Sequence, residues 1–420
     1  MSGQAGKPRV PIAALAVLLG GVSGSLHLGK LPPAVPALQA SLGIGLVEAG
    51  FLLALVQVAS MTLGLLVGLA ADTIGLRRSM LTGLIVLTLA SLLGGAAGTG
   101  LGGDGAHAVQ WLLVLRAVEG VGFLLAVMPG PGLIRALTPP GADKAVLGLW
   151  GAYMPLGVAL ALLVGPAFIG WGGWVDWWWA LSAVSAVAAL GLWLVVPADR
   201  LRPAVTGSAS GGWGARLRAT VGARAPWLVA LSFAVYSSQW IAVIGFLPAI
   251  YAGAGVPAAW NAVLTALAAA MNIVGNVAGG RWLQRGVAPQ RLLQLGFLTM
   301  ALAGLAAFAQ MGQGADALGL PPVLRYIAVC AFSLGGGMVP ATLFLLGVRL
   351  APGPATVSTT IGLMQQASAL GQFLAPPAVA WLAHRVGGWH WTWAATLACS
   401  LVGMAIARRL GRIRPAAEMA

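Results

Sequence analysis

Apolar runs of roughly 20 residues, each long enough to cross a bilayer as a helix, recur along almost the whole chain. They predict twelve membrane helices, at 11–38, 46–71, 79–100, 109–137, 144–170, 175–197, 226–252, 258–283, 290–312, 322–350, 355–384 and 389–409. The longest polar interval, 198–225, splits them into two sets of six. The expected architecture is therefore an all-α membrane protein with an N-terminal bundle (1–197), a linker (198–225) and a C-terminal bundle (226–420). Within the linker, the Gly/Ser-rich stretch from Thr206 to Gly212 reads as flexible. The basic stretch Trp213–Arg224 reads either as a short amphipathic helix on the membrane surface or as a solvated loop.

Composition sharpens this picture. Only 8% of the 420 residues are charged and 59% are hydrophobic, whereas a soluble domain carries roughly a quarter charged residues. The net charge of +14 does not point to nucleic acid, because it is sorted by topology. Of the 23 lysines and arginines, 19 fall in the termini and loops on the terminus side and two, Arg325 and Arg385, on the opposite side. Loops enriched in this way are cytoplasmic. Both termini are thus expected in the cytoplasm of a bacterial-type inner membrane, with no cleaved signal peptide and the first helix retained. Cys330 and Cys399 lie inside apolar runs and read as buried thiols. The 61 glycines suit membrane helices, where small residues allow close packing.

The two halves repeat weakly, at an offset of about 215 residues. Gly172-Gly173-Trp174 with Trp178 recurs as Gly387-Gly388-Trp389 with Trp393; Gly148 and Gly157 recur as Gly362 and Gly371. Leu31-Pro32 recurs as Leu247-Pro248, and Pro129 as Pro340. Repeated halves around a midplane site are a mark of secondary transporters.

The most specific local signal is Gly68-Leu-Ala-Ala-Asp72-Thr-Ile-Gly75-Leu-Arg77-Arg78, between the second and third runs. Here the chain resembles the major facilitator superfamily, whose signature loop has this pattern at this place. Arg116-Ala-Val-Glu119-Gly120-Val-Gly122 in the fourth run is similar to that family's Arg-x-x-x-Gly signature. The resemblance implies two six-helix bundles that rock about a central site, with Gly68, Asp72, Gly75, Arg77 and Arg78 acting as a conformational latch. In the second half the corresponding loop, Gly279 to Gly286, carries Leu283 where the acid would stand, which weakens that half of the latch. Gly157-x-x-x-Ala161-x-x-x-Gly165-Pro166 resembles a degenerate antiporter motif, and a small-residue packing stripe explains it equally well.

Charges inside the runs are few, and each costs at least a few kcal/mol unless paired or hydrated. Arg116 and Glu119, three apart, share one helical face, either bracing the bundle or lining a proton-responsive cavity. His27 and Lys30 share a face of the first helix. Lys30 is read as the free charge that meets an anionic substrate, with Arg116 committed to Glu119. Snorkelling of Lys30 to the interface, and a packed role for His27, are the alternatives. The second half offers amides and an indole: Gln239, Trp240, Asn272, Asn276, Gln365, Gln366 and Gln372, as substrate contacts or as interhelical hydrogen bonds.

No phosphate-cradling Gly-x-x-x-x-Gly-Lys motif occurs, so ATP is not expected to drive this chain. The 12 methionines form no Met-x-x-x-Met or His-x-x-x-Met pair within a run, so no metal site or other cofactor is expected. The expectation is a monomeric, non-enzymatic secondary transporter in the lipid bilayer, with a small organic anion as substrate and protons as a candidate coupling ion. Export of hydrophobic, drug-like compounds and a non-transporting receptor are the competing readings.

Overall fold

The computed structural model describes residues 11–64, 75–101, 105–138, 150–199, 213–311, 318–353 and 356–413. Within them, ten helices are long and apolar enough to span a membrane. One, Tyr153–Val195, is 43 residues long and broken at Gly173, whose positive φ of 81° ends one span and starts the next. Val357–Val386, a 30-residue helix, brings the spans to twelve. We label these α1 (Ile12–Leu42), α2 (Leu46–Gly64), α3 (Leu76–Gly100), α4 (His107–Ile134), α5 (153–172), α6 (174–195), α7 (Arg224–Gly253), α8 (Ala258–Gln284), α9 (Pro289–Phe308), α10 (Pro322–Arg349), α11 (Val357–Val386) and α12 (Trp389–Leu410).

The expected spans agree with these to within a few residues at most ends. The expected end of the second span, 71, and start of the fifth, 144, lie outside the described residues. α9, expected to reach 312, stops at Phe308. Gln310–Met311 then pairs antiparallel with Leu318–Gly319, so a two-stranded ribbon interrupts an otherwise helical molecule. The basic linker stretch does form a helix, Trp213–Gly222.

The repeat seen in the sequence is a repeat of backbone approach. Gly83 on α3 meets Gly122 on α4; 213 residues later Gly296 on α9 meets Gly335 on α10. Gly157 on α5 rests on Ser25 of α1, as Gly371 on α11 rests on Ser238 of α7. A Cβ at any of these positions would press on the facing helix, which is why small residues recur there. Gly173 and Gly387, before α6 and α12, both take a positive φ, 81° and 73°, but with ψ of 179° and 27° the two turns differ. Gly148, the partner of Gly362, lies outside the described residues.

At the end of the molecule away from the termini, the two bundles share one apolar seal. Leu31, Val35 and Leu38 of α1, Leu52 and Leu53 of α2, and Trp174, Trp177 and Trp178 of α6 pack in one cluster with Phe246 of α7 and Ala380 of α11. The approach is close: a Cβ on Gly50 would lie 3.0 Å from Pro377, and one on Gly245 2.6 Å from Leu53.

Candidate functional site

The bend in α1 creates the site. Pro32 and Pro33 have no N–H to continue the helical ladder, so the chain breaks at Lys30. Carbonyls around the break are taken by side chains from other helices. His27 O accepts from Arg116 Nη1 at 2.9 Å, and Lys30 O accepts from Trp177 Nε1 at 3.0 Å. Arg116 Nε also donates to Leu52 O at 3.0 Å, so one guanidinium ties α4 to α1 and α2.

Four ionisable side chains meet at this bend, each at most 1% exposed: His27, Lys30, Arg116 and Glu119. Glu119 is the hub. Its Oε1 pairs with Lys30 Nζ, its Oε2 with Arg116 Nη1, and His27 Nδ1 lies 3.5 Å from Oε1. Lys30 Nζ also donates to Ser91 Oγ at 3.1 Å and sits 4.5 Å above the Trp178 ring. His27 Nε2 is 2.7 Å from Ser185 Oγ.

This corrects the expectation that Lys30 is the free cation. It shares Glu119 with Arg116, because the bend swings the lysine stem back toward α4 rather than out to the interface. For the same reason, removing Arg116 would not strand Glu119 without a cation. It would instead leave the Leu52 and His27 carbonyls without their donor. Two cations on one carboxylate leave a surplus positive charge, and Arg116 Nη2 has no hydrogen-bond partner among the described residues.

In the second half the candidates hold one another. Trp240 Nε1 donates to Ser333 Oγ at 3.2 Å. Asn272 Nδ2 donates to Tyr236 Oη at 3.0 Å and Ser333 O at 3.1 Å, and Asn276 Nδ2 donates to Asn272 Oδ1 at 3.2 Å. Gln239 Oε1 accepts from Ser400 Oγ at 3.0 Å. Gln372 Oε1 accepts from Gln57 Nε2 at 3.0 Å, and Gln366 Nε2 donates to Thr62 O at 3.3 Å, both across the bundle interface. Gln365 is half-buried on α11. Gln239 and Gln366 also line a mainly apolar groove of about 570 Å³ between α7, α11 and α12. His27, Lys30, Arg116 and Glu119 are not among its lining residues.

Ser91, Ser185, Trp178 and Gln57 were not anticipated. A single serine in an apolar run carries no signal by itself. Ser185 and Ser400, however, are 215 residues apart and each bonds a polar group on the first helix of its own half. The repeat offset is a signal that could have found that pair.

Of the latch motif, Gly68 and Asp72 lie outside the described residues. Gly75, Arg77 and Arg78 start α3, and the acid they meet is Asp199, just beyond α6. Its carboxylate accepts from the backbone N–H of Arg77 at 3.0 Å and of Arg78 at 2.8 Å, capping α3. Gly75, with φ of 101°, leaves the carboxylate room that a Cβ would fill. The Arg77 guanidinium donates to Trp193 O at 2.6 Å. Asp199→Ala is expected to lower stability by about 1–2 kcal/mol, as loss of a helix N-cap does. Thermal unfolding of the purified protein measures this, and an unchanged melting temperature would remove Asp199 from that role.

The family model for the Major Facilitator Superfamily matches residues 13–376. The chain belongs to that superfamily. It is 34% identical over 174 residues to the puromycin resistance protein pur8 of Streptomyces alboniger. It is 28% identical over 193 residues to the facilitated glucose transporter member 10 of solute carrier family 2 of Homo sapiens. These matches cover 40% and 46% of this chain, and 31% and 34% of those relatives' own lengths. Among solved structures it resembles a bacterial homologue of the human lysosomal transporter Spinster. The inward-facing, occupied form gives a TM-score of 0.74 at 16% identity, over 95% of this chain and 96% of the other. The unoccupied form gives 0.70 at 17%, over 96% and 95%. At such identities the likeness establishes the fold.

Proposed function

We propose that this superfamily member is a secondary active transporter of a small organic anion, working by alternating access between bundles 1–197 and 226–420. The observation that carries the reading is the single carboxylate of Glu119 shared by Lys30 and Arg116 beneath the apolar seal. Charges buried this deeply require partners. A carboxylate-bearing solute entering from the opened side supplies the second anion that two cations call for. Glu119 is faced by Lys30 and His27 from α1 and by Arg116 from its own helix, with Ser91 of α3 on Lys30 and Ser185 of α6 on His27. A proton delivered to Glu119 frees both cations for the solute, and loss of that proton to the other side lets the ionised carboxylate reclaim them and release the solute. That exchange makes proton and anion travel together, inward across the cytoplasmic membrane.

Purified protein in proteoliposomes tests this, with a panel of radiolabelled carboxylates and an imposed pH gradient. Uptake of one carboxylate, stimulated by an acidic exterior, is expected. Lys30→Gln should reduce it by at least about tenfold, the loss of one charge-assisted contact, while the protein stays folded because the Arg116–Glu119 pair survives. Normal carboxylate flux in Lys30→Gln would end the anion reading.

Export of hydrophobic compounds is the second reading. It is favoured by the apolar groove between α7, α11 and α12 and by the partial match to a puromycin resistance protein. Puromycin movement out of the cytoplasmic side in the same proteoliposomes, without carboxylate flux, would select it.

A further inference from the structure

A separate cavity of about 610 Å³ opens inside the C-terminal bundle, at the end away from the termini. Its walls come from the ends of α7 and α9, the start of α10 and the turn before α12. That volume is in the range of small-molecule sites. Arg325 is the arginine in its lining, and no aspartate or glutamate lines it among the described residues. It is also one of only two basic residues that the charge count assigns to that side. Positive residues are depleted on such a side, so an arginine kept there has a use that topology does not explain.

Its position is built. The ribbon pairing Gln310 with Gly319 sets the Gln310 amide against the guanidinium. With the amide oxygen turned to it, Arg325 donates from Nη2 at 2.7 Å and from Nη1 at 3.0 Å. Within the same wall, Arg325 Nε and Tyr251 Oη have no acceptor among the described residues. With these unmatched donors, and no carboxylate on the guanidinium among the described residues, the cavity wall carries a positive field. Phe308, Tyr326 and Trp389 supply an aromatic body to the wall, and His390 adds an imidazole.

We propose that this cavity is a second binding site, for an amphiphilic anion: a carboxylate or phosphate group on an apolar body, held by Arg325 and the aromatic wall. It uses none of the residues of the buried cluster and stands whether or not the anion reading of that cluster does. Trp389 links it to transport, since its ring packs 4.9 Å from Phe246, a member of the seal between bundles. The occupant comes either from solution or as the headgroup of an anionic lipid.

The probe is 1-naphthoate, titrated into the full-length protein in phosphatidylcholine nanodiscs and followed by thermal stabilisation, with neutral 1-naphthamide as control. Saturable stabilisation by the anion alone is expected. Arg325→Gln should weaken it by about tenfold to a hundredfold, the loss of a charge-assisted contact. Arg325→Lys should recover part of the loss, and Arg385→Gln should leave it unchanged. Nanodiscs containing phosphatidylglycerol separate the sources. If that lipid stabilises wild type but not Arg325→Gln and excludes naphthoate, the site stands and its occupant is the headgroup; if naphthoate still binds, the occupant is a free solute. Equal binding of the naphthamide overturns the proposal, as does equal binding by Arg325→Gln.

Discussion

Glu119→Gln is expected to be the most damaging single substitution in the N-terminal bundle, lowering stability by about 3–5 kcal/mol, the range for breaking a buried ion pair. Glutamine fills nearly the same volume, so the loss is electrostatic. Lys30 and Arg116, at most 1% exposed, would be left facing each other with no carboxylate between them. Lys30→Gln is milder, because it leaves one cation on one anion. Arg116→Gln falls between, because Lys30 still neutralises Glu119 while two backbone carbonyls lose their donor. Folded yield and thermal unfolding of the three variants in nanodiscs give the order. If Glu119→Gln melts with wild type, the cluster is not an ion-pair network in the folded protein.

Gly275→Val is expected to abolish folded protein altogether. Its Cβ would run into the Leu334 carbonyl and lie 3.0 Å from Gly337 Cα, both on α10. Gly337 returns the contact onto the backbone of Asn272, and a Cβ there would lie 2.8 Å from Asn276 N. Neither side has a flexible side chain to move, so helices α8 and α10 would have to separate. Overpacking costs typically 1–3 kcal/mol, and more where backbone meets backbone. Separation would also break the Asn272 Nδ2 donation to Ser333 O and with it the brace on Trp240. Gly280→Val, five residues on with nothing within 4 Å of its added Cβ, is the control and should express normally. Monodisperse protein from Gly275→Val would show that the crossing is looser than drawn.

Legibility followed the range of the physics. Bilayer thickness and the cost of unpaired backbone act on each apolar run by itself, so the spans could be read locally. The repeat was legible because each half meets the same packing problem and a glycine solves it at the same place, Gly157 in one half and Gly371 in the other. The Arg116–Glu119 pair was legible because three residues make one helical face. Lys30 was placed on the right helix but read as free of a protein partner. Its contact with Glu119 spans 89 residues and depends on how far the bend at Pro32 and Pro33 turns the chain. Asp199 was missed likewise: it lies more than 120 residues from the α3 terminus it caps.

The sequence by itself determined a twelve-helix membrane protein of two related halves, the superfamily's signature residues and a short inventory of buried charge. Each follows from hydropathy, spacing or composition, which neighbouring residues carry along the chain. Only the tertiary structure decided that Lys30, Arg116 and His27 gather on one carboxylate. It also decided that Asn272, Ser333 and Trp240 brace one another, and that Arg325 lines a cavity with Gln310 of the ribbon. Those arrangements depend on which helix faces meet, and that is set by close packing among elements far apart in the chain.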